Sequence, residues 1–451
     1  MYKHKKTLPY LATAMITLTL ALTACISGGK WEEEPPPVVP TIEGFSLDKS
    51  KMALLVGMKE ALLLPAAEQN KAVEWTSSNT NVASVATDGT VTAIAPGNAN
   101  ITVRTQDGAK TAACALTVMQ LDSGLDLYVA GIEELPNTDP NSHVYAAVVW
   151  KNGAAQQLGL DGKQTRATSV FVTESDVYVA GIEYDTGGNI GFPVVWKNGL
   201  PQRLDSSNGV FASDHCWPNS IFVYGGDVYA AGNTDNIVNS SLFINAVLWK
   251  NGKLQPLSDV DRSGATSLYV SDGHVYVAGY ENNERGIRVA TVWKDGLPQR
   301  LSNGSTDATP YSIFVSGGDV YVVGVVDDIR PGFIIPTLWK NGVVQEFGDL
   351  LIPYSVFVSG NDVYIAGTDP RGTKPIATLW KNGVAQTLSN DWTEARSVFV
   401  SGNDVCVAGE EVIDPNEISS RYATLWINGH QITLNKDKKK AGYAYSVFVV
   451  K

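Results

Sequence analysis

A set of phrases that recurs along most of this chain is the feature that most constrains its fold. From residue 121 onward, relatives of "DVYVAG", "ATLWKNG" and "SVFV" follow one another in fixed order. Each phrase occurs seven times, at a spacing of 41 to 53 residues. This is the period of a four-stranded propeller blade. The repeats therefore predict an all-β chain with a seven-bladed β-propeller over residues 121–451.

The turns give the order of the strands within a blade. Every "ATLWKNG" phrase ends in Asn-Gly or Asp-Gly, as at Asn152–Gly153 and Asp295–Gly296. This dipeptide suits a type I′ hairpin, because both central residues need positive φ. A second tight turn, "SGND" or "SGGD", joins "SVFV" to "DVYVAG". We name the strands A ("SVFV"), B ("DVYVAG"), C ("ATLWKNG") and D (the short segment that follows the glycine).

The phase of the cycle predicts how the ring closes. The first copy begins at strand B, "DLYVAG" at Asp126–Gly131, with no "SVFV" in the cycle before it. The chain ends on "SVFVV", a strand A with no strand B after it. We expect Ser446–Val449 to be the innermost strand of the first blade, which hides the exposed strand edges.

The repeated aromatic and acidic residues are predicted to be scaffold. We expect each repeat Trp to be a wedge between blades, and the Asp before "VY" to cap a turn. The seven tryptophans are Trp150, Trp196, Trp249, Trp293, Trp339, Trp380 and Trp426. The repeats resemble kelch-type propellers in general build. They lack the kelch double glycine, the Trp-Asp ending of a second repeat family and the sialidase Asp box, so the resemblance implies no particular activity.

Residues 41–119 have a different pattern. They contain short alternating runs such as "VEWTSSNTNVASVATDGTVTAIAPGNANITVRT", which is typical of an antiparallel sandwich. "WTSSN", "VASV", "GTVTAIAPGNANITV" and "CALTV" resemble the group 2 bacterial immunoglobulin-like family. The resemblance implies a β-sandwich in which Trp75 fills the core and Gly89 lies in a hairpin turn. In that family the module is a spacer or part of an adhesin.

The first forty residues predict an exported, lipid-anchored protein. Residues 1–25 combine a basic start and an apolar stretch with "LTAC", and they resemble a bacterial lipoprotein signal in which Cys25 carries the lipid. Residues 26–40 read as a tether, because their prolines favour extended polyproline II. The run "KWEEE" at 30–34 resembles the export signal of surface lipoproteins in Bacteroides-like bacteria. We expect an outer-membrane protein that faces the exterior, with the periplasmic face as the alternative.

Charge and composition limit the partners. The formal net charge of −12 argues against nucleic acid, because duplex binding needs a basic face. Cys114, Cys216 and Cys406 are too far apart for a disulfide framework. The five histidines are dispersed, and "DVDRSG" at Asp259–Gly264 has Val270 where a calcium loop has its closing Glu. We expect a monomer with no metal and no cofactor.

The candidate site lies on the face of the long B–C and D–A loops, because variable loops on a rigid ring usually carry function. Residues that enter strand A or precede it should crowd the mouth of the channel. The ligand-binding candidates are Arg166, His215, Trp217, Tyr311, Tyr354, Trp392, Arg396 and Tyr445. Aromatic rings and Arg side chains suit a glycan or an extended peptide. We predict a non-catalytic protein that binds a glycan or protein ligand, with the immunoglobulin-like domain as a stalk.

Two alternatives stay open. The acidic loops "IEE", "VVDD" and "GEEVID" can supply a carboxylate pair for a glycoside hydrolase or lyase, or they can form a solvated face. The chain can also be a structural adhesin segment. We assign no catalytic residue. Two carboxyl groups facing each other across a deep cleft would indicate an enzyme, and a shallow aromatic mouth would indicate binding.

We expect Cys25→Ser to abolish incorporation of labelled palmitate, because serine lacks the thiol that carries the diacylglyceryl group. The variant should be unprocessed or released, and protease added to intact cells should remove the wild-type protein. A correctly cleaved Cys25→Ser protein that stays fully membrane-bound contradicts lipidation. Wild type that resists protease on intact cells but not in lysates faces the periplasm.

Overall fold

The computed structural model describes most of the chain from Phe45 to the C-terminus. The described residues are 45–69, 72–122, 124–135, 143–159, 163–185, 191–206, 216–238, 241–260, 262–328, 330, 332–345, 347, 352–414, 420–435 and 440–451. The predicted signal, the tether, Cys25 and His215 lie outside this set. The elements it contains are strands and a 3₁₀ turn at Ala66–Glu68. No helix in this set has the length and apolar character needed to cross a membrane.

The first seven strands form two sheets that pack as a β-sandwich. They are β1 (Lys51–Leu55), β2 (Lys59–Ala61), β3 (Val73–Ser77), β4 (Ala83–Val85), β5 (Thr90–Ala93), β6 (Gly97–Thr105) and β7 (Thr111–Met119). One sheet has the order β1-β7-β6-β3, with β1 parallel to β7, and the other has the order β2-β5-β4. Alternate residues of β7 are buried, as expected of a strand with one face on a core. The predicted immunoglobulin-like sandwich is confirmed.

Trp75 has a different place from the one predicted. Gly89 lies in the turn between β4 and β5 at φ +85°, as expected. A Cβ on Gly89 would lie 2.8 Å from the Trp75 ring, so the ring covers this glycine. Trp75 itself is only half-buried, while Ile101 and Leu116 are fully buried. The indole therefore lies at the edge of the core and does not fill it.

Seven antiparallel four-stranded sheets follow, and each is one blade. In the order A, B, C, D, blade 1 is Gly442–Val450, Asp126–Glu134, Tyr145–Lys151 and Ala154–Gln157; blade 2 is Thr165–Val172, Val177–Tyr184, Gly191–Lys197 and Leu200–Arg203; blade 3 is Cys216–Tyr224, Asp227–Val238, Ser241–Lys250 and Lys253–Pro256; blade 4 is Ser263–Ser271, His274–Asn282, Arg288–Lys294 and Leu297–Arg300; blade 5 is Ala308–Ser316, Asp319–Asp327, Ile334–Lys340 and Val343–Gln345; blade 6 is Ile352–Ser359, Asp362–Asp369, Ile376–Lys381 and Val384–Thr387; and blade 7 is Thr393–Ser401, Asp404–Val412, Arg421–Ile427 and His430–Thr433. The predicted seven-bladed propeller is confirmed.

The C-terminal strand closes the ring. Gly442–Val450 pairs antiparallel with Asp126–Glu134, and Val447 lies opposite Val129. Each strand A contacts the strand A of the next blade, so the seven innermost strands form a complete circle. The predicted position of Ser446–Val449 is confirmed, and blade 1 is built from both ends of the repeat region.

A ring of seven hydrogen bonds joins these inner strands. The Ser Oγ of each "SVFV" accepts a backbone N–H from strand A of the following blade. The donors and acceptors, 3.1–3.3 Å apart, are Val170 and Ser446, Ile221 and Ser169, Leu268 and Ser220, Ile313 and Ser267, Val356 and Ser312, Val398 and Ser355, and Val447 and Ser397. Strand A has no further strand on its channel side, so the hydroxyl satisfies a donor that sheet pairing leaves free. This bond explains why the repeat contains Ser.

An aromatic collar lines the channel beside the serine ring. It consists of Phe171, Phe222, Tyr269, Phe314, Phe357, Phe399 and Phe448, the third residue of each "SVFV". Neighbouring ring centroids are 4.5–4.8 Å apart, with interplanar angles of 46–57°. Tilted pairs bring ring edges towards ring faces, which aromatic quadrupoles favour. Each ring contacts both neighbours, so the collar narrows the channel and connects all seven blades.

The C–D turns have the predicted type I′ geometry. In all seven, the Asn or Asp has φ of 49–52° and the Gly has φ of 79–85°. The Asn side chain also reaches the A–B turn. In blade 6, Asn382 accepts the N–H of Val363 at 2.8 Å and donates to Asp362 at 2.7 Å. Lys381 pairs with the other Asp362 oxygen at 2.7 Å, so the repeated Asp ties the two short turns of a blade together.

The repeat tryptophans are wedges between blades, as predicted. All seven are 0–3% exposed. Trp196 of blade 2 packs in one cluster with Ala147 and Val149 of blade 1. Trp249 of blade 3 has the same relation to blade 2. The phrase "ATLWKNG" therefore repeats because each blade needs a large side chain to fill the gap to its neighbour.

Blade 7 departs from the repeat where the sandwich packs against it. Ile427 replaces the repeat Lys, and Asp404 accepts the N–H of Asp122 at 3.1 Å. Strand D is less exposed here, with Ile432 fully buried, whereas all four residues of strand D in blade 2 are exposed. Strand β1 of the sandwich contacts strand D of blade 7. The substitutions in the seventh repeat therefore create an interface.

This interface lies on the side of the short turns. Met58 of the sandwich packs against Gly153 in the C–D turn of blade 1, and Asp122 lies beside Gly402 in the A–B turn of blade 7. The long loops leave from the other ends of the strands. A nine-residue strand spans about 30 Å, so the long-loop face points away from the sandwich.

We expect deletion of 446–451 to unfold or aggregate the propeller. It removes Val447 and Val449, which are buried and each contribute about 1.5–3 kcal/mol, and it bares the edge of strand B in blade 1. Domain stability is only about 5–15 kcal/mol in total. Thermal melting checks this, with deletion of Pro35–Pro37 as the control that should leave melting unchanged. A chain ending at Tyr445 that melts cooperatively at the wild-type temperature contradicts closure by this strand.

Candidate functional site

An irregularity in every inner strand shapes the mouth of the channel. The pairing of strand A with strand B shifts register just before the repeat Ser in all seven blades, for example between Ala167 and Ser169. One residue of strand A is left unpaired there, which is a β-bulge. Strand B approaches closely, since a Cβ on Gly181 would lie 2.0 Å from the Arg166 carbonyl oxygen. The bulge residues form the inner rim of the long-loop face.

The bulge residues divide the rim into two halves. In blades 2, 3 and 4 they are Thr168, Asn219 and Thr266, and in blades 5, 6, 7 and 1 they are Tyr311, Tyr354, Arg396 and Tyr445. The small residues bind the backbone: Thr168 Oγ1 donates to the Pro218 carbonyl at 2.7 Å, and Asn219 Nδ2 donates to the Ala265 carbonyl at 2.8 Å. Large side chains therefore occupy one half of the rim only.

Three of the predicted site residues contact one another in this half. The rings of Tyr311 and Tyr354 have centroids 5.8 Å apart. The guanidinium of Arg396 lies 4.8 Å from the centroid of Tyr354. This continuous aromatic and cationic surface crosses blades 5, 6 and 7.

A buried carboxylate holds the arginines of blade 7. Glu410 is 1% exposed, and one of its oxygens lies 3.0 Å from Arg421 and 3.4 Å from Arg396. Arg396 also pairs with Glu394. Burial raises the pKa of Glu410, and the charge of Arg396 opposes that shift. Glu410 Oε2 is buried without a hydrogen-bond partner among the described residues.

A cleft of about 290 Å³ opens between blades 1 and 2 on the same face. It is lined by Ile132, Tyr145, Gln164, Thr165, Arg166, Tyr184, Tyr443 and Tyr445. Tyr443 and Tyr445 come from the C-terminal strand, Ile132 and Tyr145 from strands B and C of blade 1, and the others from blade 2 or the segment just before it. The cleft therefore exists only because the two ends of the propeller sequence meet.

Contacts between side chains hold the tyrosines and the arginine in place. Arg166 Nη2 donates to the Tyr445 hydroxyl at 3.0 Å, and its guanidinium lies 4.9 Å from the Tyr445 centroid. The rings of Tyr443 and Tyr445 stack with centroids 6.0 Å apart. Tyr145 meets Tyr443 edge-on, also at 6.0 Å. Arg421 lies 5.8 Å from the Tyr443 centroid, which links the cleft to Glu410 and blade 7.

Three phenols of this cleft, those of Tyr145, Tyr443 and Tyr445, stay protonated at neutral pH. Burial raises the pKa of Tyr445 to about 12, and it also raises the pKa of Tyr145 and of Tyr443. A protonated phenol both donates and accepts hydrogen bonds. These three tyrosine side chains are therefore uncharged, and they can form hydrogen bonds with either hydroxyl groups or anions.

The structure brings five of the eight predicted site residues into two groups. Arg166 and Tyr445 meet in the cleft, and Tyr311, Tyr354 and Arg396 meet on the rim. Trp217 and Trp392 are half-buried and belong to neither group. The Trp392 carbonyl accepts the N–H of Val412 at 2.7 Å, so its peptide has a structural role. His215 lies outside the described residues.

Several residues around the site were missed by sequence reasoning. Tyr443 and Glu394 stand three residues before the repeat Ser, at the position that Arg166 has in its own blade. A scan of that position would have found both. Tyr145 and Tyr184 carry no such signal, because their meeting depends on how blades 1 and 2 are placed. Glu410 is buried, so the interpretation of the acidic segments as a solvated face does not apply to this residue.

In the acidic segments, carboxylates of different blades each contact a basic side chain of their own blade. Glu134 contacts His143 Nδ1 at 2.5 Å and accepts the N–H of Ala441 at 3.0 Å. Asp328 pairs with Arg330 at 2.5 Å. Within the part of the chain that the structure describes, no cluster of three or more His, Cys, Asp or Glu residues could hold a metal ion. The three cysteines predicted to lie outside a disulfide framework, Cys114, Cys216 and Cys406, are buried.

Comparison with known families identifies the sandwich. Residues 42–116 match the family model of the bacterial Ig-like domain (group 2). A stretch of 132 residues is 35% identical to an uncharacterised protein of Clostridium acetobutylicum, covering 26% of this chain and 14% of that protein. This chain thus spans only a small part of that relative's length.

The chain also aligns with solved structures at low sequence identity. The putative TolB of Agrobacterium tumefaciens aligns over 59% of this chain and 91% of its own, with 13% identity and a TM-score of 0.35. The propeller domain of the trilobed protease of Pyrococcus furiosus covers 77% and 98%, with 10% identity and a TM-score of 0.36. A β-xylosidase/α-arabinofuranosidase from a compost metagenome covers 46% and 89%, with 10% identity and a TM-score of 0.29. The propeller is shown by the strand pairing itself.

We expect Glu410→Ala to lower the free energy of unfolding by about 3 kcal/mol, because it leaves two arginines without their shared carboxylate. This is the low end of the usual range, since both guanidinium groups are about 30% exposed and solvent screens them. Urea unfolding measures the loss. Glu284→Ala, in an exposed loop of blade 4, should change stability by less than about 0.5 kcal/mol. Equal effects of the two substitutions contradict the role of Glu410.

Proposed function

We propose that this protein is a lipid-anchored protein of the bacterial outer surface whose propeller binds a glycan at the cleft between blades 1 and 2. The composition of the cleft carries the glycan proposal. Four tyrosines, an arginine and a glutamine surround about 290 Å³, which is close to the lower limit of small-ligand sites. Tyrosine offers an apolar ring face and a hydroxyl group. A sugar ring has matching surfaces, namely apolar C–H faces and a polar edge.

Binding is favoured over hydrolysis by the absence of carboxylates from the cleft wall. The described residues that line the cleft include no Asp or Glu, whereas glycoside hydrolysis normally needs a pair of them across the scissile bond. Glu410, a buried carboxylate of blade 7, is held by Arg396 and Arg421. The aromatic lining of the cleft matches the arrangement expected of a binding protein.

The position of the sandwich supports presentation of this face to a ligand. The Ig-like domain contacts the short-turn side of blades 7 and 1, and the cleft opens on the opposite side. An anchor at Cys25 would reach the propeller through this domain. In the proposed arrangement the domain acts as a stalk, and the cleft is accessible from outside the cell.

Glycan-array binding by the detergent-solubilised full-length protein tests the proposal. We expect retention of a restricted set of glycans, with no cleavage products after long incubation of any hit with the protein. Tyr184→Ala should weaken the hit at least about 5-fold, because aromatic contact surface dominates such sites.

Tyr224→Ala is the matched control. Tyr224 is 42% exposed and lies beside the A–B turn of blade 3, at the short-turn end. This substitution should leave binding unchanged. Cleavage of a bound glycan would establish the enzyme alternative, and an array with no specific hit would overturn glycan binding.

A further inference from the structure

We propose that the cleft between blades 1 and 2 selects a carboxylate-bearing sugar, a hexuronic acid residue of an acidic polysaccharide, with Arg166 as the residue that binds the carboxylate. This inference deepens the proposed glycan binding and rests on it. It names a chemical class of ligand and assigns one residue to the charge of that ligand.

The charge balance around the mouth singles out Arg166. The other two arginines of this region are neutralised, since Arg396 pairs with Glu394 and Glu410, and Arg421 pairs with Glu410. Arg166 has no Asp or Glu within salt-bridge distance among the described residues, and its recorded partner is the hydroxyl of Tyr445. Among the described residues, the cleft therefore carries one cation with no carboxylate partner.

The guanidinium is positioned before any ligand arrives. One N–H of Arg166 is bonded to Tyr445, and the group also lies near the Tyr445 ring. Tyr445 is itself stacked on Tyr443 and belongs to the closing strand of the propeller. A guanidinium has five N–H donors in a rigid plane, so most of them remain for a ligand. A planar carboxylate matches two of these donors at once.

The rest of the wall fits a ring that bears such a group. Tyr145, Tyr184 and Tyr443 supply aromatic surface, and Gln164 supplies amide donor and acceptor atoms. The phenols of Tyr145, Tyr443 and Tyr445 are protonated, so they do not repel an anion. The volume of about 290 Å³ suits about one sugar ring. No described carboxylate pairs with the Arg166 guanidinium, and tyrosines surround it. The cleft therefore suits a negatively charged sugar ring better than a neutral one.

Isothermal titration calorimetry on the detergent-solubilised full-length protein tests the inference. The probes are trisaccharides of galacturonic, glucuronic and mannuronic acid, the corresponding neutral trisaccharides of galactose, glucose and mannose, and a sulfated galactose trisaccharide. We expect at least one uronate to bind at least about 10-fold more tightly than its neutral counterpart. Arg166→Gln should remove that difference, because it lowers the affinity for the uronate more than the affinity for the neutral sugar, and Arg166→Lys should restore part of it.

Arg285→Gln is the matched control. Arg285 is exposed in the B–C loop of blade 4, on the same face, so its substitution changes the net charge equally without touching the cleft. It should leave uronate affinity unchanged. Thermal melting of each variant at the wild-type temperature confirms that the fold is intact.

The outcomes separate this inference from the proposed function. Equal affinity for uronate and neutral sugars, unaffected by Arg166→Gln, overturns the carboxylate selectivity while glycan binding stands. Preference for the sulfated sugar over every uronate also overturns it. Equal losses for Arg166→Gln and Arg285→Gln show general charge attraction and reject the role of Arg166. Binding of no sugar at all overturns both proposals.

Discussion

The closed circle of innermost strands is the constraint on which the rest of the propeller depends. Each strand A gives one backbone N–H to the Ser hydroxyl of the preceding blade, as Val447 does to Ser397 and Val170 does to Ser446. The aromatic collar repeats the same circle with its rings in contact. Neither circle has a free end, because the chain terminus supplies the seventh member. The edges that an open sheet would expose are therefore covered.

The positions where blades differ show where the ring has been adapted. In blade 7, Ile427 stands in place of the repeat Lys and Ile432 is buried, so this blade can pack against the Ig-like domain. On the rim, the bulge residues are small in blades 2, 3 and 4, whereas in blades 5, 6, 7 and 1 they are Tyr311, Tyr354, Arg396 and Tyr445. A uniform scaffold thus has a docking surface on its short-turn side and a differentiated rim on the other. The cleft adjoins the junction that closes the ring.

Most of the fold could be predicted because its signals are local and repeated. The I′ turns follow from Asn-Gly pairs, the wedges from the spacing of Trp, and the closure from the phase of "SVFV". The site could be predicted only in part. Arg166 and Tyr445 are 279 positions apart in sequence, and their contact depends on the closure and on the bulges together. The burial of Glu410 was not predictable either, since an acidic run such as "GEEVID" is usually solvated, whereas Glu410 lies within strand B of blade 7 and is enclosed by two arginines.

The central claim is that the C-terminal strand closes the ring and forms part of the cleft. Hydrogen–deuterium exchange of the inner strands tests this claim most directly. The amides of Val447 and Val170 should exchange as slowly as that of Ile313, because all three donate to a Ser hydroxyl of the neighbouring blade. Peptides from Gly442–Val450 should therefore fall in the same slow class as those from Ala308–Ser316 in blade 5. Rapid exchange throughout Gly442–Val450, as in a frayed terminus, with slow exchange in blade 5, would contradict the account.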